Sequence, residues 1–415
     1  MIIVIGAGIS GLTLAKELAG TDGLVLEKEN KPGGLSTQYN SGGYLFDYGG
    51  HYFHFQGLEK LALELQASYS FQSFKRRSFV ASGKLRIPFP IQFHLSRLPA
   101  AIKKKVLEEI LARDIEAKQK PANLREDLRA KFGPTLCDLF FYPFLEKFYQ
   151  SPLTEISADM DKGTIPVPDR NKLISGARGK LFKGVGYNAS FFYPRPGLAD
   201  FIEKYGAKEY RRILTCEEVL AVDLAKKRIT TRKNEYKYSV LCNTIPLKSF
   251  LALCRDHRLK KLAEKLRHIS TLVFNAALQK RRRRFHWLYL PEIKYFCYRA
   301  GYYPYPDYTA CYLEKTVNPA EHDSTDWQNE ALQTLRKLGM IEHDSELLHY
   351  DAKVIPISYI VFDRLWHETV PSTLAWLEKN DVYCSGRFAT WNYSSMSMDM
   401  LQARMTARRI LAGSR

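Results

Sequence analysis

Met1-Ile2-Ile3-Val4-Ile5-Gly6-Ala7-Gly8-Ile9-Ser10-Gly11 opens the chain, and the apolar run Leu24-Val25-Leu26 ends at an acid, Glu27. The order is strand, glycine turn, helix, strand, acid. Gly6 permits the tight turn, Gly8 lets backbone approach a pyrophosphate, and Gly11 lets the helix pack close to the sheet. Ile9 and Ser10 open the helix, whose free N–H groups and positive dipole end suit phosphate oxygens. Glu27 lies nineteen residues past Gly8, followed by Lys28, and is placed to bind a ribose hydroxyl pair. A bare glycine triplet is weak evidence. With a strand before it, a helix after it and an acid at this distance, it predicts a dinucleotide-binding βαβ unit.

The next segment distinguishes between dinucleotides. Lys31-Pro32-Gly33-Gly34-Leu35-Ser36-Thr37 follows the acid, and Phe46-Asp47-Tyr48-Gly49-Gly50-His51-Tyr52-Phe53-His54 comes shortly after. A second glycine pair lets backbone run close to an extended cofactor, where an NAD domain would usually enter another helix. This order resembles the FAD-binding segment of amine oxidases, protoporphyrinogen oxidases and UDP-galactopyranose mutases. The His-x-x-His run at 51 to 54 is most similar to the mutases.

The 415 residues suggest two to three domains, and 45% hydrophobic residues allow a large core. No run approaches the ~20 apolar residues of a membrane span. The start does not read as a signal peptide, because glycines and a polar helix follow five apolar residues. Seven cysteines include no CxxC pair and no zinc spacing, so no metal site is expected. Free thiols in a reducing cytoplasm are the plain reading. The formal charge is +18, with clusters at Lys75-Arg76-Arg77, Lys103 to Lys105, Lys226 to Arg228 and Lys280 to Arg284. Such a field attracts anionic substrates or, peripherally, membrane surfaces. Each cluster singly reads as a solvated face, and no nucleic-acid-binding motif accompanies them.

Along the chain, Ser78 to Phe89 reads as a hairpin turning at Ser82-Gly83. Residues 99–150 are helical by the recurrence of Ile102, Val106 and Ile110 and of Leu136, Leu139 and Phe140. A short helix at 198–206 leads to a meander with strands at 219–222, 228–231 and 238–242. Residues 271–313 are strand-rich, 380–385 form a last sheet strand, and 398–412 form the final helix. The expected organisation is an α/β protein with a discontinuous Rossmann-like FAD-binding domain of the glutathione-reductase type. Its three parts are 1–75, 186–265 and 376–415. Between them lie the hairpin of a substrate sheet (76–97), a helical subdomain (98–185) and an α+β substrate-binding sheet domain (266–375).

The resemblance to UDP-galactopyranose mutases runs in order along nearly the whole chain. It covers Arg86-Ile87-Pro88-Phe89-Pro90-Ile91-Gln92, Asp138 to Phe144 with Lys147, Gly186-Tyr187-Asn188, and Gly386-Arg387-Phe388-Ala389-Thr390-Trp391-Asn392-Tyr393. Trp287-Leu288-Tyr289 stands ten residues before Arg299, the spacing of a uridine-contacting tyrosine and a phosphate-binding arginine. The resemblance implies FAD, active when reduced, with NAD(P)H as a possible reductant. It implies pyranose–furanose interconversion of a nucleotide sugar through an adduct at the reduced flavin N5, in polysaccharide biosynthesis.

The residues support those roles physically. Arg299 offers a planar fork to a diphosphate. Tyr289, Tyr359 and Tyr393 can donate phenolic hydrogen bonds, and Asn188 and Gln92 suit sugar hydroxyls. Arg387 is placed for the FAD pyrophosphate, Val219 for the adenine pocket, and Met398 with Asp399 for presenting helix N–H groups to the flavin. Gly49, Gly50 and His51 bring backbone and an imidazole toward the flavin, although His51 reads equally well as a structural histidine. With 25 tyrosines in the chain, a lone Tyr is more often a core-edge residue. Asp161-Lys162-Gly163 stands where the mutases often carry an arginine, so Lys162, or Arg170, is expected to take that place. Two other readings stay open: a net oxidoreductase of the amine or protoporphyrinogen oxidase type, and a flavin-bound protein without catalysis.

Overall fold

A computed structural model describes residues 1–112, 121–160, 165–182, 184–186, 188–206, 212–279, 285–318 and 327–413. Ile2–Ile5 is buried at every position, as expected for a parallel strand covered on both faces. It pairs in parallel with Gly23–Leu26 on one side and Val240–Asn243 on the other. Val382–Cys384 and Ile213–Leu214 complete a five-stranded sheet at its two edges. Helix Ile9–Glu17 packs on this sheet and against the last helix, Met396–Gly413. Chain start, middle and end thus build one layer.

The meander differs from expectation in its third strand. Val219–Asp223, Arg228–Thr231 and Glu235–Lys237 form the three-stranded antiparallel sheet. Val240–Asn243 instead joins the parallel sheet, because its buried Leu241 and Cys242 find a covered face only there. Helix Arg364–Lys379 packs on Val382–Cys384 and spans the expected boundary at 375/376.

The second layer is a seven-stranded sheet in the order Leu347–Ile360, His268–Leu278, Thr309–Val317, Arg299–Tyr302, Trp287–Tyr289, Ser78–Ser82, Leu85–Pro88. The expected hairpin forms its edge. Alternation divides strand His268–Leu278 between two environments. Leu272, Phe274 and Ala276 pack in one core cluster with Ala331 and Leu335 of helix Trp327–Lys337. Thr271 and Val273 face a cleft between the sheet and the cofactor layer. Helices Ala100–Leu111, Leu124–Phe132 and Tyr142–Tyr149 form a separate core beside the sheet, sharing Tyr289, Tyr298 and Tyr359 with it.

Candidate functional site

The glycine turn has the geometry the sequence predicts. Gly6 sits at φ +93°, where a side chain would be strained. A Cβ on Gly11 would overlap the Gly6 carbonyl oxygen, whereas a Cβ on Gly8 would meet nothing within 4 Å. Gly8 therefore borders open space at the start of helix Ile9–Glu17, with no side chain capping that end. Gly33 and Gly34 run alongside: Gly33 N–H donates to the Ala7 carbonyl at 2.8 Å, and Gly8 and Gly33 form an isolated parallel bridge. Glu27 is buried, its carboxylate accepting from Ala7 N–H at 2.7 Å and Glu29 N–H at 2.9 Å. Each oxygen keeps a lone pair for a further donor. Val219 is buried with Ile3, Ile5 and Leu26, while Lys28 is exposed and pairs with Glu29. Ile9 is a core residue, and Ser10 lies where a Cβ on Gly386 would fall, so the glycine turn and the Gly386 segment from opposite ends of the chain interlock.

A cleft of about 1090 Å³, including its open mouth, runs under the seven-stranded sheet and reaches Leu35 and Ser36, just after the Gly33-Gly34 pair. Leu35, Ser36, Gly50, His51, Asn188, Arg299, Tyr359, Arg387 and Tyr393 all line it. Gly49 stands at φ +101°, where a side chain would be strained, and its Cβ would lie 2.8 Å from Glu314 Oε1. His51 N–H donates to the Gly49 carbonyl at 2.9 Å. Burial, joined by the Arg387 and Arg299 charges and opposed by Glu314, lowers the His51 pKa to about 4. The imidazole is neutral at physiological pH, and its buried Nδ1 has no protein partner among the described residues.

Arg387 lies 4.7 Å from the Tyr359 ring centre and 4.5 Å from that of Tyr393, and these two rings are nearly parallel. Its Nη1 donates to the Ser394 carbonyl at 3.2 Å, while its buried Nε has no protein partner among the described residues. A cation held between two phenols with an unspent donor is a ready anion contact. Burial raises the pKa of Tyr359, and that of Tyr298 well above its ordinary value, so both remain hydroxyl donors at neutral pH.

Sequence reading missed Glu314. It faces Arg299 across neighbouring antiparallel strands, with Nε–Oε2 and Nη2–Oε1 both 2.6 Å. Glu314 Oε1 also accepts from Gly50 N–H at 3.3 Å, tying the pair to the loop that carries His51. The available signal was one acid following the apolar run Ala310-Cys311-Tyr312-Leu313. Arg76 was read as part of a solvated cluster. It is half-buried, and its guanidinium donates to the Phe89 carbonyl at 3.1 Å, the Val185 carbonyl at 2.8 Å and Asn188 Oδ1.

Other expected residues sit elsewhere. Met398 is half-exposed and its N–H donates to Ser395 Oγ; helical phase places Met396 and Asp399 on the cleft instead. Gln92 is fully buried with Nε2 donating to the Pro166 carbonyl at 2.6 Å, and it does not line the cleft. Tyr289 stands behind the cleft wall, 4.5 Å from Phe89 and 5.4 Å from Phe144 between ring centres. Lys162 and the run at 280–284 lie outside the described residues. Arg170 is exposed at the first turn of helix Arg170–Ala177. None of the seven cysteines forms a disulfide, and no metal-ligand cluster occurs among the described residues.

The fold is α/β, with a parallel-sheet Rossmann-like layer beneath a seven-stranded sheet, and the NAD(P)-binding Rossmann-like domain family matches residues 4–61. Over 99% of its length the chain shares the fold of reduced UDP-galactopyranose mutase, with TM-score 0.90, 22% identity and 95% of that chain covered. A putative protoporphyrinogen oxidase from Exiguobacterium sp. 255-15 is similar over 99% of this chain and 98% of its own, at TM-score 0.78 and 17% identity. Putrescine oxidase matches over 99% and 98%, at TM-score 0.68 and 14% identity. The open space at Gly8, the unspent Arg387 Nε and the unpartnered His51 Nδ1 fit a long dinucleotide cofactor running from the turn into the cleft. No helix among the described residues is long and apolar enough to cross a membrane.

Proposed function

We propose that the protein is an FAD-dependent mutase that interconverts pyranose and furanose forms of a nucleotide sugar. The observation that carries the reading is the convergence of Arg387, Arg299 and the phenols of Tyr359 and Tyr393 in one cleft beside the cofactor turn. Gly6, Gly8, Gly11, Gly33, Gly34 and Glu27 would hold the pyrophosphate and ribose of FAD. Reduced flavin, held there, would supply an electron-rich nitrogen as nucleophile.

The chain's own residues supply position and charge. The phenols donate to diphosphate oxygens, and Arg299 keeps Nη1 for the same ligand while Glu314 fixes its plane. Neutral His51 presents an uncharged edge beside the two arginines. The seven-stranded sheet covers the reacting face and limits water.

The test is turnover of nucleotide diphosphate sugars by purified protein, oxidised and then reduced with dithionite or NAD(P)H. Isomerisation only after reduction, without stoichiometric loss of reductant, supports the reading. Turnover by the oxidised form with one flavin reduction per event and peroxide in air overturns it. The second reading, an oxidase of the protoporphyrinogen or amine type, is favoured by one observation: Glu314 neutralises Arg299, which suits a substrate of lower charge.

A further inference from the structure

Lys147 comes from helix Tyr142–Tyr149 of the helical core and is not a cleft residue. Its ammonium reaches out of that helix into the connection between strands Trp287–Tyr289 and Arg299–Tyr302. There it donates to four main-chain carbonyls: Leu290 at 3.2 Å, Glu292 at 2.8 Å, Tyr295 at 2.9 Å and Cys297 at 2.7 Å. Three N–H groups facing four carbonyl oxygens make a cage of the kind that also suits a small monovalent cation. The same helix packs edge-on against the cleft residues Tyr298 and Tyr359 and against Tyr289 behind the wall. Ring centres of Phe144 and Tyr289 are 5.4 Å apart, of Phe148 and Tyr298 4.9 Å, and of Phe148 and Tyr359 4.8 Å. The Phe148 carbonyl also accepts from Thr316 Oγ1 at 2.6 Å, two residues past Glu314.

We infer that Lys147 is a positioning residue. Its ammonium closes the 290–297 connection around itself and so fixes where Tyr298 and Arg299 enter the cleft. The ten-residue interval from Tyr289 to Arg299 is then the length of chain wound round one buried cation. Without that charge the four carbonyls point at one another. The connection must open, and the Arg299 fork then loses its alignment with Glu314 and with any ligand. Burial lowers the Lys147 pKa to about 8, and the charged or titratable groups facing it are Cys297, Lys315 and Glu292. Of these, Cys297 has its thiol raised to about 12 by burial and does not titrate in the same range.

The role of the cleft as a nucleotide site rests on the proposed function; the effect on the connection does not. The experiment uses the full flavin-loaded chain as wild type and as Lys147→Met, with two readouts. One is amide hydrogen exchange in peptides spanning 287–300, and the other is calorimetric binding of uridine diphosphate. Lys147→Met is expected to keep its flavin, to exchange faster across 290–300, and to bind the nucleotide about tenfold or more weakly. Potassium or methylammonium chloride should restore part of the protection in Lys147→Ala, whose short side chain leaves the ammonium's place vacant, and tetramethylammonium, too large for the cage, should not.

Unchanged exchange and unchanged affinity in a folded Lys147→Met protein overturn the inference. A wild type that binds no uridine diphosphate defeats the nucleotide-sugar reading, and the exchange and cation arms still decide Lys147. If Lys147→Met does not fold, wild-type exchange between about pH 7 and 9, corrected for the intrinsic rate, decides. Protection of 290–300 that falls selectively through about pH 8 supports the role, and protection flat relative to the rest of the sheet overturns it.

Discussion

Arg299 and Glu314 meet across adjacent strands as a two-point ion pair, Nε to Oε2 and Nη2 to Oε1 each at 2.6 Å, with the Glu314 side chain only 4% exposed. Both charges lie in the cleft, so neither has full access to water. Removing one partner of a buried pair leaves the other charge uncompensated, at a cost of roughly 3–5 kcal/mol. Glu314→Ala should lower the denaturation midpoint by a corresponding amount while strengthening binding of inorganic diphosphate, because Arg299 is released. Paired denaturant melts and calorimetric titrations check both signs. A destabilised variant with weaker anion binding would show that Glu314 positions Arg299 more than it neutralises it.

Arg299→Ala removes the fork itself. Loss of a desolvated charge partner is worth roughly 2–5 kcal/mol, so nucleotide diphosphate affinity should drop by about two orders of magnitude. Unchanged affinity would move the anion site to Arg387, whose Nε is unspent.

The glycine turn allows folding to be separated from cofactor binding. A Cβ at Gly8 has open space around it, whereas one at Gly11 overlaps backbone. Gly8→Val should therefore fold with a near-normal circular dichroism melt and purify colourless. Gly11→Val should be destabilised outright. A yellow Gly8→Val protein would place the pyrophosphate elsewhere.

Asp47 is fully buried among hydroxyl donors, accepting from Tyr193 at 2.8 Å and Tyr305 at 2.6 Å, and burial raises its pKa from 3.8 to about 7. The folded state thus holds a proton that the unfolded chain releases above pH 3.8. Stability from this group is complete below that value and is lost as pH rises toward 7, by on the order of 4 kcal/mol at 1.36 kcal/mol per unit. Asp47→Asn should flatten that limb. The check is the difference in melting temperature between variant and wild type across pH 5 to 8.

His51 acts with the opposite sign. Its pKa falls from 6.5 to about 4, so the unfolded chain binds the proton more readily. Stability is complete above 6.5 and declines as pH drops toward 4. His51→Gln should remove this acid-side loss, and the wild-type pH–rate profile should show no ionisation of His51 between pH 5 and 8. A catalytic pKa near 6.5 abolished by His51→Gln would show that the imidazole is charged during turnover.

The sequence by itself determined what is local. Gly6, Gly8, Gly11 and Glu27 lie within one βαβ unit, so spacing alone specifies their geometry. The turn at Ser82-Gly83 and the helical spacing of Val106 and Ile110 are local in the same way. Arg387 and Tyr393 fall in a segment, Gly386 to Tyr393, that the ordered resemblance singled out, and both line the cleft. Tertiary structure alone decided what depends on register and phase. Glu314 faces Arg299 because the two strands pair at that register, and a slip of one residue would turn Glu314 to the other face. The start of the last helix set whether Met396 or Met398 points inward. The Asp47 site draws on strands and loops from 47, 193, 275, 303 and 305, and the Lys147 cage on carbonyls that carry no side-chain signature. Main-chain oxygens are the same in every residue, so only the folded path of the chain could bring four of them to one ammonium.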